Sequence, residues 1–129
     1  MKIHWGRVVI AALVAEALLI VLVNISRRLS LSGAISTIIG YLSFVALMFL
    51  AALWVARRIE SRFILHGALV GLAAVALYVI LTFNATLRGQ VQINVEYFLL
   101  HIIKILGGAA GGFVAGRWKL PESQVKQQV

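Results

Sequence analysis

Four long apolar runs, separated by short polar connections, dominate the pattern of hydrophobic and polar positions along this chain. Each run has at least 18 residues, which at a rise of about 1.5 Å per residue nearly spans or exceeds a hydrocarbon core of about 30 Å. The pattern predicts an all-α fold, an integral membrane bundle of four transmembrane helices in one domain over 1–120, with a polar C-terminal tail at 121–129. The predicted spans lie at about 8–25, 34–56, 63–83 and 97–116.

The composition points to the same class of protein. Hydrophobic residues make up 62% of the 129 residues and the mean hydropathy is +1.01, well above the roughly 45–50% apolar content of soluble domains. The chain has no cysteine, which excludes disulfides, thiol catalysis and cysteine-ligated metals. No small-x-small cleavage pattern follows the first apolar run, so we expect a retained helix and not a signal peptide there.

The positive charge is distributed unevenly between the two ends of the predicted spans. The first and third connections carry only Arg27, Arg28 and Arg88. The positive-inside rule therefore predicts cytoplasmic termini, and the net charge of +8 then requires no nucleic-acid partner, only attraction to an anionic lipid bilayer. The N-terminus, the second connection and the C-terminal tail carry eight basic residues: Lys2, Arg7, Arg57, Arg58, Arg62, Arg117, Lys119 and Lys126.

Two ionisable residues lie deep within the predicted spans. Glu16 is nine residues from Arg7, roughly 13 Å inward, and Lys104 is twelve residues from Gly116, roughly 18 Å from the same side. We expect an intramembrane charge pair between them, because the first and fourth helices of a closed bundle are usually neighbours. The pair could be structural, or either residue could bind a proton, ion or charged solute during transport. In a third interpretation neither is deep, because lysine can snorkel to the interface.

Tyr78 and His101 are possible polar neighbours of this pair. Tyr78 reaches a similar depth and could hydrogen-bond Glu16, or it could be an ordinary packed tyrosine. His101 lies one turn from Lys104 and could extend a proton path toward Glu96 or bond to another helix. The scattered histidines lack metal-ligand spacing, and no nucleophile adjoins a base. We therefore expect no metal, no cofactor and no enzymatic activity.

Glycines at helical spacing indicate close helix packing. Gly67 and Gly71 lie on one stripe of the third span, while Gly108, Gly112 and Gly116 follow Lys104 at four-residue steps in the fourth. Such a glycine zipper lets another backbone approach closely. The spacing leaves open whether the fourth span packs against the first helix, the third helix or another copy of the chain.

Two segments outside the spans carry weaker signals. The connection at 84–96 alternates apolar and polar residues near its end, which is compatible with an extended segment or an irregular loop. Pro121 is predicted to end the fourth helix, leaving a disordered tail.

Short motifs at the span ends carry a resemblance. They are Ala-Arg-Arg at 56–58, His-Gly-Ala-Leu-Val-Gly-Leu at 66–72 and Gly-Gly-x-x-Ala-Gly-Arg at 111–117. The chain resembles the uncharacterised small four-span bacterial inner-membrane proteins, which implies location in that membrane without an established activity. Ala-Glu-Ala-Leu at 15–18 is also similar to the small multidrug-resistance transporters, whose dimers exchange protons for cationic drugs through a first-span glutamate. The chain departs from their aromatic and proline signatures.

Two functions are consistent with these observations. The first is a non-enzymatic packing or assembly module that associates as a homo-oligomer or with a partner membrane protein. The alternative is a proton-coupled small-solute transporter that acts as a dimer with Glu16 as its coupling carboxylate. The distinguishing feature is a fixed counter-charge, because a transporter needs the carboxylate free during part of its cycle.

Overall fold

A computed structural model describes residues 4–29, 32–60 and 62–127, with the backbone alone at Arg27 and 119–127. Over this part of the chain the fold is all-α, as predicted. Each helix contains a segment of 22 to 25 residues that is long and apolar enough to cross a membrane, so the fold is compatible with a multi-pass membrane protein. The helices are α1 (Trp5–Arg28), α2 (Gly33–Ala56), α3 (Phe63–Leu87) and α4 (Val95–Gln127).

The helices alternate in direction, so each end of the bundle gathers two helix starts and two helix ends. At one end the Arg7 guanidinium donates a hydrogen bond to the Arg58 carbonyl at 3.0 Å. At the opposite end the Tyr41 hydroxyl donates to a carboxylate oxygen of Glu96 at 3.1 Å and links α2 to α4. We call the first of these the basic end, because it carries five arginines: Arg7, Arg57, Arg58, Arg62 and Arg117.

The order of the helices around the bundle differs from the prediction. α4 packs against α3 and α2, and α1 packs on the other side of the same two helices. Among the described residues, no α-carbon of α1 lies within 8 Å of one in α4. The expectation that the first and fourth helices are neighbours is therefore wrong. The glycine-rich faces of α4 let α2 and α3 pack closely against it. α1 lies diagonally opposite α4.

α3 continues one turn beyond the predicted end at residue 83 and ends at Leu87. Its last turns contain threonines whose hydroxyls form hydrogen bonds to backbone carbonyls of the same helix. The Thr82 hydroxyl donates to the Tyr78 carbonyl at 2.8 Å, and Thr86 repeats this bond one turn later at 3.0 Å. Hydroxyls that bond back to the preceding turn are compatible with a continuing helix.

The connection at 88–94 is irregular and contains no strand. Gly89 adopts a left-handed conformation with φ of 70°, and its N–H donates to the Thr86 carbonyl at 3.0 Å, which closes the end of α3. The Asn94 side chain then accepts a hydrogen bond from the Tyr97 N–H at 2.9 Å and caps the start of α4. The chain between these two caps is an irregular loop and not an extended segment.

α4 does not end at residue 116. The helix continues through Pro121 to Gln127, while 128–129 lie outside the described residues. A proline removes one backbone donor and bends a helix, but the six residues that follow it are all able to continue one. The prediction that Pro121 ends the fourth helix is therefore wrong.

Small side chains make up much of the interior, although Leu19, Met48 and Ile59 are also buried, and many large apolar side chains face outward. Ala12, Ala15 and Ala74 are buried at the centre, whereas Ile80 and Leu42 are 70% and 64% exposed. Helices surrounded by lipid pack through small residues because lipid tails already solvate large ones. This distribution of small buried and large exposed apolar side chains agrees with helices that are apolar enough to cross a membrane.

Candidate functional site

Glu16 and Lys104 meet at the centre of the bundle. The Nζ of Lys104 donates a hydrogen bond to the Glu16 carboxylate, and the two residues are only 1% and 4% exposed. Glu16 stands near the middle of α1 and Lys104 near the middle of the apolar segment of α4, Val95–Trp118, and the two helices lie diagonally across the bundle. The structure thus brings together the two predicted intramembrane charges, but through the reach of two long side chains and not through neighbouring helices.

Two aromatic rings complete the surroundings of the Lys104 ammonium. Its Nζ lies 4.7 Å from the ring centroid of Tyr78 on α3 and 5.2 Å from that of Phe44 on α2. Both distances are within the range of a cation–π interaction, which becomes stronger when the cation is desolvated. Through Glu16 and these rings, one α4 side chain contacts all three other helices.

Tyr78 and His101 both lie beside the pair, but not as hydrogen-bond partners of Glu16. Tyr78 and Glu16 are described, and no hydrogen bond joins them; Tyr78 presents its ring face to Lys104 instead. The His101 ring packs against Tyr78 at 5.3 Å between centroids and edge-on against Tyr97 at 4.3 Å. We name Tyr97, His101 and Tyr78 the aromatic row, which runs from the opposite end of the bundle to Lys104.

Both ring nitrogens of His101 are buried and have no hydrogen-bond partner. The predicted bond between this histidine and another helix is therefore not present. Because an unsatisfied buried polar group costs free energy, His101→Phe should be neutral or should stabilise the bundle by up to about 1 kcal/mol. Thermal unfolding in detergent measures the change, with Tyr97→Phe as a control in the same row. A large destabilisation by His101→Phe would contradict the absence of bonding partners.

The predicted glycine stripes of α3 and α4 face each other at backbone contact. A methyl group on Gly67 would fall on the Gly108 carbonyl, and one on Gly108 would fall on the Gly67 carbonyl. A methyl group on Gly71 would lie 2.6 Å from the Ile105 α-carbon, and Gly112 leaves equally little room. The glycine stripe of α4 therefore packs against α3.

A second glycine face of α4 packs against α2. A methyl group on Gly107 would lie 3.1 Å from the Val45 carbonyl oxygen, and one on Gly111 would collide with the Phe49 carbonyl. Gly116 forms the end of the first face, where a methyl would lie 3.0 Å from the Phe63 ring. The glycine run of α4 contains this second stripe in an overlapping register, one residue away from the predicted one.

Two grooves of substrate size among the described residues do not open onto the pair. A groove of about 360 Å³ between α1 and α2 and one of about 320 Å³ between α3 and α4 are lined by neither Glu16 nor Lys104. Within the described residues, no group of three His, Cys, Asp or Glu side chains could hold a metal ion. The geometry of the pair is that of a packed, charge-neutral bundle core.

No family model, curated protein or solved structure matches this chain. The geometry of the buried pair and its surroundings is therefore the basis for a proposed function.

Proposed function

We propose that the protein is a non-enzymatic membrane module that packs with itself or with a partner membrane protein. The observation that carries this proposal is the fixed counter-charge of Glu16, whose carboxylate accepts a hydrogen bond from buried Lys104. A buried pair with cation–π neighbours on two other helices specifies how four helices pack. A coupling carboxylate would instead need to exchange partners.

The proposed location is a bacterial inner membrane with both termini in the cytoplasm. The support is the basic end, where five arginines gather, against three at the opposite end: Arg27, Arg28 and Arg88. Exposed Trp5, Trp54 and Trp118 stand at the same end, as expected of residues anchored at an interface.

Energy transfer between labelled copies in liposomes tests the assembly function. We expect transfer between donor- and acceptor-labelled protein to persist as lipid is added, because a specific complex survives dilution. For association with a different protein, crosslinking within intact cells should recover one partner in fixed proportion. A monomer that loses all transfer on dilution and crosslinks to no partner would contradict the proposal.

The second candidate, a proton-coupled transporter acting as a dimer, is favoured by one observation. The aromatic row places a titratable ring, His101, between the opposite end of the bundle and Lys104. Proteoliposomes loaded with a pH-sensitive dye test it against a panel of small cations. Solute-dependent proton flux that Glu16→Gln abolishes would support the transporter, and absence of flux for the whole panel would count against it.

A further inference from the structure

We propose that the groove between α3 and α4 at the basic end binds the headgroup phosphate of an anionic phospholipid, with an acyl chain along its apolar wall. The groove has a volume of about 320 Å³. That volume lies within the usual range of ligand sites, roughly 300–1,000 Å³. The inference goes beyond the assembly function and requires only that the bundle spans a bilayer.

Two arginines give the groove its charge. Arg62 directly precedes α3, Arg117 lies where the span of α4 ends, and both line the groove. The Arg117 guanidinium stands 5.0 Å from the centroid of the Phe113 ring, which holds it beside the cavity. Among the described lining residues none is acidic. Guanidinium groups match phosphate oxygens in geometry as well as charge, so the groove is complementary to a phosphate.

The remaining walls of the groove suit a hydrocarbon chain. Gly112 and Gly116 contribute backbone only, which leaves a shallow floor between the side chains. Ile64 and Phe113 form apolar walls and are 53% and 46% exposed on the outer surface of the bundle. Exposed Trp118 is the residue after Arg117 on α4, and indole rings favour the level of the lipid headgroups.

The combination of charge and apolar wall distinguishes this groove from the one between α1 and α2. That groove is lined by aliphatic side chains and Trp54 and has no charged group to bind a headgroup phosphate. Basic pockets between helices at the cytoplasmic side of a membrane are typical sites for anionic lipid headgroups. The groove between α3 and α4 has both features that such a lipid requires.

Lipid titration of the purified full chain in non-ionic detergent tests the proposal. Phosphatidylglycerol and phosphatidylcholine with identical short chains are added, and bound lipid is counted by native mass spectrometry. We expect tighter binding of phosphatidylglycerol. Arg62→Gln and Arg117→Gln should each weaken it by about fivefold, and together by about thirtyfold. Arg88→Gln, at the opposite end of α3, removes the same charge and should leave binding unchanged.

A groove-filling variant separates a shaped site from general charge attraction. Ile64→Trp keeps both arginines but fills the groove, and it should abolish preferential phosphatidylglycerol binding. Ile80→Trp, on the exposed face of the same helix, is its control and should have no effect. Equal losses from Arg88→Gln and Arg117→Gln, or equal affinity for the two lipids, would overturn the proposal. Equally tight binding of water-soluble glycerophosphoglycerol would show a small-anion site and overturn the lipid assignment.

Discussion

Lys104→Met is expected to destabilise the bundle by about 3–5 kcal/mol, because it leaves the Glu16 carboxylate buried without its counter-charge. Methionine keeps an unbranched side chain of similar reach, so the loss reports the charge and its hydrogen bond. The change also removes the cation that lies against the Tyr78 and Phe44 rings. The free energy of unfolding in mixed detergent micelles measures the effect.

The matched control for this variant removes both charges. Glu16→Leu combined with Lys104→Met should recover most of the lost stability, since replacing a buried ion pair by apolar residues of similar volume is often neutral or stabilising. The double-mutant cycle then isolates the energy of the pair. Additive losses in the cycle would show that the two side chains do not interact and would contradict the geometry.

Gly71→Ala is expected to destabilise the bundle by about 3 kcal/mol, at the upper end of overpacking costs. The added methyl group would lie 2.6 Å from both the Ile105 α-carbon and the Lys104 carbonyl oxygen. Both neighbours are backbone atoms, so α3 and α4 must move apart. The measurement is again the free energy of unfolding in mixed micelles.

Gly40→Ala in α2 is the control for the close packing of α3 on α4. A methyl group on Gly40 meets nothing within 4 Å, so this variant should be neutral or stabilising by up to about 1 kcal/mol through helix propensity. If Gly40→Ala and Gly71→Ala destabilised the bundle equally, the effect of Gly71→Ala could not come from the backbone contact between α3 and α4.

The four helices could be predicted from the sequence because membrane-spanning helices require long apolar runs. That Glu16 and Lys104 lie at a similar level along the bundle also followed from counting residues, because helical rise is constant. The last turn of α3 was not predicted because Asn84 and Thr86 are polar, although the Thr86 hydroxyl bonds to the preceding turn of the helix. A pattern of hydrophobic and polar residues does not show whether a polar side chain hydrogen-bonds to the backbone of its own helix.

The position of α1 relative to α4 was not predictable from the same pattern. Hydropathy identifies the apolar residues of each helix. Because the outward faces of the bundle are apolar as well, the hydropathy pattern does not determine the order of the helices. The overlapping glycine registers of α4 indicated close packing but not that Gly107 meets α2 while Gly108 meets α3. Tyr78 likewise lies beside the pair as predicted, but whether its hydroxyl or its ring face meets the pair depends on side-chain rotation.

Infrared spectroscopy of the carboxyl groups tests whether the buried pair is permanent. The chain has four glutamates and no aspartate, so subtracting the spectrum of Glu16→Gln isolates the Glu16 signal. From about pH 5 to about pH 9 we expect the Glu16 carboxylate band to persist, because Lys104 donates to it throughout. A protonated-carboxyl band that appears in this range and is lost in Glu16→Gln would contradict a fixed pair and favour the transporter.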